Sequence, residues 1–460
     1  MTHPYIPNSA PDTRARMLAA LGLKDIDELY AEIPERLRFH GSMNLPEPYA
    51  DECSLRRHVE GILQRNSSCG DFLSFLGAGC YRHHVPSICD EVNQRGEFLT
   101  AYAGEPYDDH GRFQALFEYQ SLMGELLDMD VVNVPTFHGF QAAATAARMA
   151  ARIVQRREVL VPRRMAPSKR SFVQNYCESD VVLREIPDDV SSGLIDQKAL
   201  AGLISTETAA VYFETPAYLG GIEDGAAITR LAHEKGVLAI ACVDPISLGV
   251  LAPPGEYGAD IACGEIQPLG IHMQYGGGHG GFIATRDEER FVMEFPSRLF
   301  GIAPTRVTGE YGFGDVAYER TSFARREGGK EFVGTAAALW GITAGVYLAL
   351  MGPQGMREVG EGILQRSRYA ASRLGNIPGV RAPFLRAAPF KEFVVNFDGT
   401  GRSVFDVNRA LRARGIFGGK DLSSEFPELG ASALYCFTEV HTRADIDRLA
   451  AALKEIVTRR

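Results

Sequence analysis

Residues 157–243 constrain the fold most. Short runs rich in β-branched and small apolar side chains, REVLVP, VVLREI, AAVYFETP and VLAIACVD, recur along this stretch. Between them, QKALAGLIS and GAAITRLAHEKG carry apolar residues at helical spacing. Strands buried on both faces and separated by helices give a parallel sheet with helices on its faces. Pro162, Pro216 and Pro245 follow strand ends on what is then one rim of that sheet, where open α/β sheets hold ligands. The fold class read from this pattern is α/β.

The next stretch, 239–283, has an unusual layout. The apolar run from Leu238 to Val243 ends in Asp244-Pro245. A Pro-Pro-Gly turn, a second short strand (Ala259 to Cys263), a polar exit through Glu265 and Gln267, and a glycine-dense loop (Gly276 to Gly281) come after it. An acidic residue at one strand end, a polar exit at the next and a glycine loop form the kind of rim on which a site is built.

Elsewhere the candidates are looser. FLSFLGAGCYRHHVP brings glycines that permit tight turns together with Tyr81, His83 and His84, which are read as pocket-lining. Tyr107 and His110, in AGEPYDDHGR, belong to a second loop at a site mouth. Asp108, Asp109 and His110 are consecutive, and consecutive side chains rarely converge on one ion, so no metal site is expected. His138 and Gly139 open the small-residue helix GFQAAATAARMAARI, and a glycine turn at a helix N-terminus can bind phosphate through free N–H groups. Tuned histidines could serve as acid or base. Arg320, Arg325 and Arg326 could hold a carboxylate or phosphate, or form a solvated face.

Composition excludes several classes. A net charge of −10 argues against nucleic acid or an anionic membrane as the main partner. No apolar run reaches the ~20 residues of a membrane span, and the N-terminus lacks the apolar stretch of a secretory signal. The eight cysteines show no CxxC pair, as in a protein with reduced thiols. A cytoplasmic location is expected. The chain divides into a helical arm (1–65), a large domain (66–350) and a smaller C-terminal α+β domain (351–460).

The quoted segments carry a resemblance that runs almost end to end. HPYIPN, IDELYAEIPERLR, FLGAGCYRHHVP, EFLTAY, QALFEYQSLMGEL, DPISLGVLAPPGEYGADIACGEIQPLG, GGGHGGFIATR and ALYCFTEVHTRADIDRL together resemble the α subunits of two-subunit glycine decarboxylases, the P-proteins of the glycine cleavage system. The resemblance implies a large domain of the fold-type-I class of pyridoxal phosphate (PLP) enzymes, with a mostly parallel seven-stranded sheet. In that fold a strand-end carboxylate keeps the pyridine nitrogen protonated, and a lysine after the next strand binds the coenzyme covalently. Asp244 aligns with the carboxylate and Gln267 with the lysine, and Gly139 is the candidate for the phosphate-binding turn. An amide cannot form an imine, and the nearest lysines in sequence, Lys235 and Lys330, lie outside the stretch.

The resemblance thus implies a chain that binds no coenzyme covalently. PLP would sit in a β-type partner subunit, in an α2β2 assembly that removes CO2 from glycine and passes the aminomethyl group to the lipoyl arm of the H-protein. Three stretches depart from the family pattern: AGEPYDDHGR (103–112), PTFHGF (135–140) and GGKEFVGTA (328–336). They leave open a related two-component PLP enzyme with another substrate, and a scaffold or regulatory protein without chemistry.

Overall fold

The structure is a computed structural model that describes Tyr5, 8–99, 110–334 and 336–458, with the backbone alone at His110 and Gly111. It divides into two compact units, Met1–Ser67 and Ser68–Arg460.

In the first unit, helix α1 (Pro11–Ala20) starts on Pro11, whose missing N–H costs nothing at a first helical position. Asp12 lies in the first turn, where it faces the positive end of the helix dipole. The segment after Lys24 forms only a 3-10 turn, Ile26–Tyr30, with Asp25 and Glu28 as a reciprocal capping box. Helix α2 (Glu52–Leu63) is capped by Asp51, which accepts from Ser54 N–H at 2.8 Å. None of these elements contains a buried residue.

The second unit begins with β1 (Leu73–Ser74), α3 (Ser87–Asn93), α4 (His110–Leu127) and β2 (Val131–Val132). Then α5 (Gly139–Val154), β3 (Glu158–Pro162), α6 (Pro167–Cys177), β4 (Val182–Ile186), α7 (Gln197–Leu203), β5 (Thr208–Thr215), α8 (Gly225–Glu234), β6 (Leu238–Val243) and β7 (Ile261–Glu265) realise the alternation seen in the sequence. Strand β8 (Gly281–Thr285) completes a seven-stranded sheet of order β2-β8-β7-β6-β5-β3-β4. Strands β3 to β7 pair in parallel, whereas β8 runs antiparallel to β7, and β2 antiparallel to β8. Every residue of β5 is buried, as a central strand covered on both faces requires.

The two faces of the sheet bury separate apolar clusters. One is built on the alanines of α5, which let the helix lie close to β7 and β8. The other packs α4 and α8 against the sheet, together with α10 (Ala338–Gly375), which follows the short α9 (Glu289–Val292) and the hairpin β9 (Phe300–Pro304) and β10 (Tyr311–Asp315). Helix α10 continues across residue 350, where the large and the smaller domain were expected to meet; Gly352, at φ +58°, kinks it just before Pro353. The rest is the antiparallel set β11 (Glu392–Asn396), β13 (Lys420–Asp421) and β14 (Ser432–Cys436), backed by α11 (Val404–Arg412) and α12 (Arg443–Thr458). Strand β12 (Ile416–Phe417) pairs in parallel with β1 and so fixes the Gly77–Tyr81 loop beside this set. No helix among the described residues is long and apolar enough to cross a membrane.

Candidate functional site

The C-terminal ends of β5, β6 and β7 open into a cavity of about 450 Å³. Its walls are the Gly77–Tyr81 loop, the first turn of α5, Lys169 on α6, the strand ends at Glu214, Asp244 and Glu265, and Lys391-Glu392 at the start of β11.

Asp244 sits where the alternation placed it, at the end of β6, and it does two things. Its Oδ1 accepts the Ile246 N–H at 3.0 Å, capping the turn that follows. Its Oδ2 lies 2.5 Å from the ammonium of Lys391, which is 3% exposed. That ammonium also lies 3.4 Å above the Tyr81 ring and 3.3 Å from His83 Nε2. A buried cation held by a carboxylate and an aromatic face is offset on two sides.

Gln267 is 1% exposed and is not part of the cavity wall. Its Oε1 accepts the Tyr81 N–H, and its Nε2 donates to the carbonyls of Tyr81 and Ile271, each at 3.0 Å. Its own N–H donates to Glu265 Oε1 at 3.0 Å. The side-chain amide therefore works as a strand-like bridge between the end of β7 and the Gly77–Tyr81 loop.

Glu265, the last residue of β7, collects donors at the mouth of α5. Oε2 accepts the Gly139 N–H at 2.8 Å and lies 3.1 Å from His279 Nδ1; Oε1 accepts the Gly280 N–H at 2.8 Å. The contact with Glu265 raises His279 above the ordinary histidine range. A Cβ on Gly139 would stand 3.1 Å from both Glu265 Cβ and the Gly264 carbonyl, so glycine here allows the close approach of helix to strand.

His138 lines the cavity as the N-cap of α5, with Nδ1 accepting the Gln141 N–H at 3.1 Å. It packs edge-on against Phe172, and burial depresses its pKa. His83 lies outside the cavity wall, buried, with Nδ1 2.8 Å from Glu439 Oε2. His84 is exposed; its main-chain N–H donates to Glu439 Oε1 at 2.6 Å. Tyr107 lies outside the described residues, and so does the side chain of His110. Among the described residues, no group of three or more His, Cys, Asp or Glu is arranged to hold a metal ion. Arg320 pairs with Asp287; Arg320, Arg325 and Arg326 are exposed and none lines the cavity, nor does Lys330.

Sequence reading missed the two amines that do line the cavity. Lys169 Nζ lies 2.6 Å from Glu214 Oε1 and 3.2 Å from Cys242 Sγ. Burial works against its charge, but Cys242 and Glu214 outweigh burial and raise it above the ordinary lysine range. The only local signal for α6 was Pro167 at its first position. Lys391 gave less signal, since it abuts a strand more than a hundred residues away in sequence from β6. Glu392 completes that corner: Oε1 accepts the Ala78 N–H at 2.7 Å, and Oε2 accepts from the Tyr81 hydroxyl at 3.0 Å.

Comparison with known proteins agrees with this architecture. The family described as "Glycine cleavage system P-protein" matches residues 3–453. A protein from Staphylothermus marinus named "Probable glycine dehydrogenase (decarboxylating) subunit 1" is 40% identical, over 99% of this chain and 98% of its own length. A protein of the same name from Moorella thermoacetica is 38% identical, over 98% and 99%. Among solved structures, a glycine decarboxylase (P-protein) of the glycine cleavage system in inhibitor-bound form superposes with a TM-score of 0.86 at 33% identity, covering 99% of this chain and all of that one. The sphingosine-1-phosphate lyase of Burkholderia pseudomallei, at 16% identity and a TM-score of 0.66 over 92% and 94% of the two chains, shares the fold. A match over nearly the whole chain, joined to a superposition on a solved P-protein, shows that this chain belongs to the glycine cleavage system P-protein family.

Proposed function

We propose that this chain is the coenzyme-free subunit of a cytoplasmic glycine decarboxylase, working with a second subunit that carries PLP, in an α2β2 assembly that delivers the aminomethyl group to the lipoyl arm of the H-protein. The observation that carries the reading is Gln267, an amide at the position where a covalent link to PLP needs an amine. The two amines in the cavity do not replace it. Lys169 and Lys391 are each paired with a carboxylate, at 2.6 and 2.5 Å, and neither stands in the segment after β7. The residues of this chain therefore do not fit the coenzyme. The name "subunit 1" carried by the relatives supports a second subunit here.

In this reading the histidines are structural. His83 fixes Glu439, and through it the backbone at His84, while His138 caps α5. Asp244 keeps the strand-end position of a ring-nitrogen carboxylate but pairs its charge with Lys391. The test is CO2 release from carboxyl-labelled glycine in the presence of lipoylated H-protein. The chain alone is expected to release none, and the chain with its second subunit to turn over. Turnover by the isolated chain would refute the proposal.

A further inference from the structure

The absent lysine accounts for the lack of a covalent link to PLP. It does not account for how a fold shaped around a doubly charged coenzyme stays closed without one. The first turn of a helix as long as α5 presents N–H groups and a dipole that favour an anion, and a phosphate is the usual occupant. Here the anion is a side chain: Glu265 takes the Gly139 N–H at 2.8 Å, with His279 3.1 Å away on the same oxygen. A strand-end carboxylate in such a fold faces a protonated pyridine nitrogen. Here the cation is also a side chain: Lys391 lies 2.5 Å from Asp244. Each charged subsite is thus neutralised by a group of opposite sign from the chain itself.

We propose that Glu265 and Lys391 are built-in counter-charges that occupy the phosphate and pyridinium subsites of this cavity and exclude PLP from it. The proposal rests on the reading of this chain as coenzyme-free and goes further, because the missing lysine is then not the sole barrier. A phosphate entering beside Gly139 meets the Glu265 carboxylate, and a pyridinium entering beside Asp244 meets the Lys391 ammonium. Like charges forced together in a confined site oppose binding strongly. Restoring the amine by Gln267→Lys would leave both in place.

The test uses the full chain and two probes. Pyridoxine 5′-phosphate carries the ring and the phosphate but no aldehyde, so it reports on the two subsites without a covalent step. The unaltered chain and Gln267→Lys are expected to show no shift in melting temperature with it. The double variant Glu265→Ser, Lys391→Met is expected to bind it at least about tenfold more tightly than the unaltered chain. If the double variant is unfolded in buffer, recovery of its melting transition on adding the probe supports the proposal equally. The second probe is inorganic phosphate on the single variant Glu265→Ser, at ionic strength matched with chloride. Phosphate is expected to stabilise this variant and not the unaltered chain. Equal stabilisation of the unaltered chain by pyridoxine 5′-phosphate would overturn the proposal, as would a Glu265→Ser variant indifferent to phosphate. A coenzyme reducible by borohydride onto the unaltered chain is a separate result, and it would overturn the coenzyme-free reading itself.

Discussion

The side-chain amide of Gln267 pairs with the main chain of Tyr81 in both directions, at 3.0 Å each way. A third bond runs from Nε2 to the Ile271 carbonyl. This amide is therefore a structural tie between the end of β7 and the Gly77–Tyr81 loop that lines the cavity. Gln267→Leu keeps the volume and removes all three side-chain bonds, leaving the Tyr81 N–H and the Tyr81 and Ile271 carbonyls without these partners. Such groups cost roughly 1–3 kcal/mol each, so a loss of about 3–5 kcal/mol is expected in urea unfolding. A loss under about 1 kcal/mol would show that water replaces the amide.

Glu439 governs the acid limb of stability. Burial alone would raise its carboxyl, but the ion pair with His83 and the His84 N–H outweigh burial and hold it at about 2. A carboxyl depressed on folding contributes stability that is present above its ordinary value of 4.5 and disappears as pH falls toward 2. Glu439→Gln should flatten that part of the curve, removing roughly 2–3 kcal/mol of pH dependence. Chemical denaturation at stepped pH reads it, and an unchanged acid limb would contradict the assignment.

Glu223 acts with the opposite sign. Burial pushes its carboxyl up to about 7, against the Ile195 N–H that it accepts at 2.8 Å. The protonated form is favoured in the fold, so stability is lost as pH rises from 4.5 through 7. Glu223→Gln can still accept that N–H and carries no charge. Its stability relative to the unaltered chain should improve over the same interval and level off above it, and a constant difference at all pH values would refute this.

Much of the sheet could be read from the sequence, because β3, β5 and β6 are apolar runs bounded by turns and alternate with helices. Asp244 directly follows the last residue of β6, as the apolar run from Leu238 to Val243 implied. The rest of the site was less accessible. Glu265 was read as lying beyond its strand, yet it is the last residue of β7, and its partners at Gly139 and His279 depend on how α5 docks. Lys391 and Glu392 reach the cavity because the chain just before β11 bonds to the turn after β5, with Phe390 N–H donating to the Gly220 carbonyl at 3.2 Å and Ile222 N–H to the Ala388 carbonyl at 3.0 Å, contacts that no local pattern encodes. Lys169 sits on α6, whose mixed polar surface gave no clear helical period.

The same corner yields a prediction about thiols. Cys242 faces Cys263 across the β6–β7 pair. A hydrogen bond from Cys263 and the nearby Lys169 ammonium lower the Cys242 pKa, while that of Cys263 rises. Thiolates react and thiols do not. With limiting iodoacetamide at about pH 6.5, where an ordinary thiol is almost wholly protonated, Cys242 should be alkylated before the exposed Cys53. Lys169→Met should slow its alkylation by about tenfold. Peptide mapping with Cys53 labelled first would refute the prediction.

Which polypeptide holds the coenzyme is measured most directly by borohydride reduction. The purified chain is reduced alone and in complex with its second subunit after loading with PLP, and the modified lysine is located by peptide mapping. The expected result is no modified lysine in this chain under either condition, and one in the second subunit. A pyridoxyl group found on Lys169, Lys391 or any other lysine of this chain would contradict the coenzyme-free assignment.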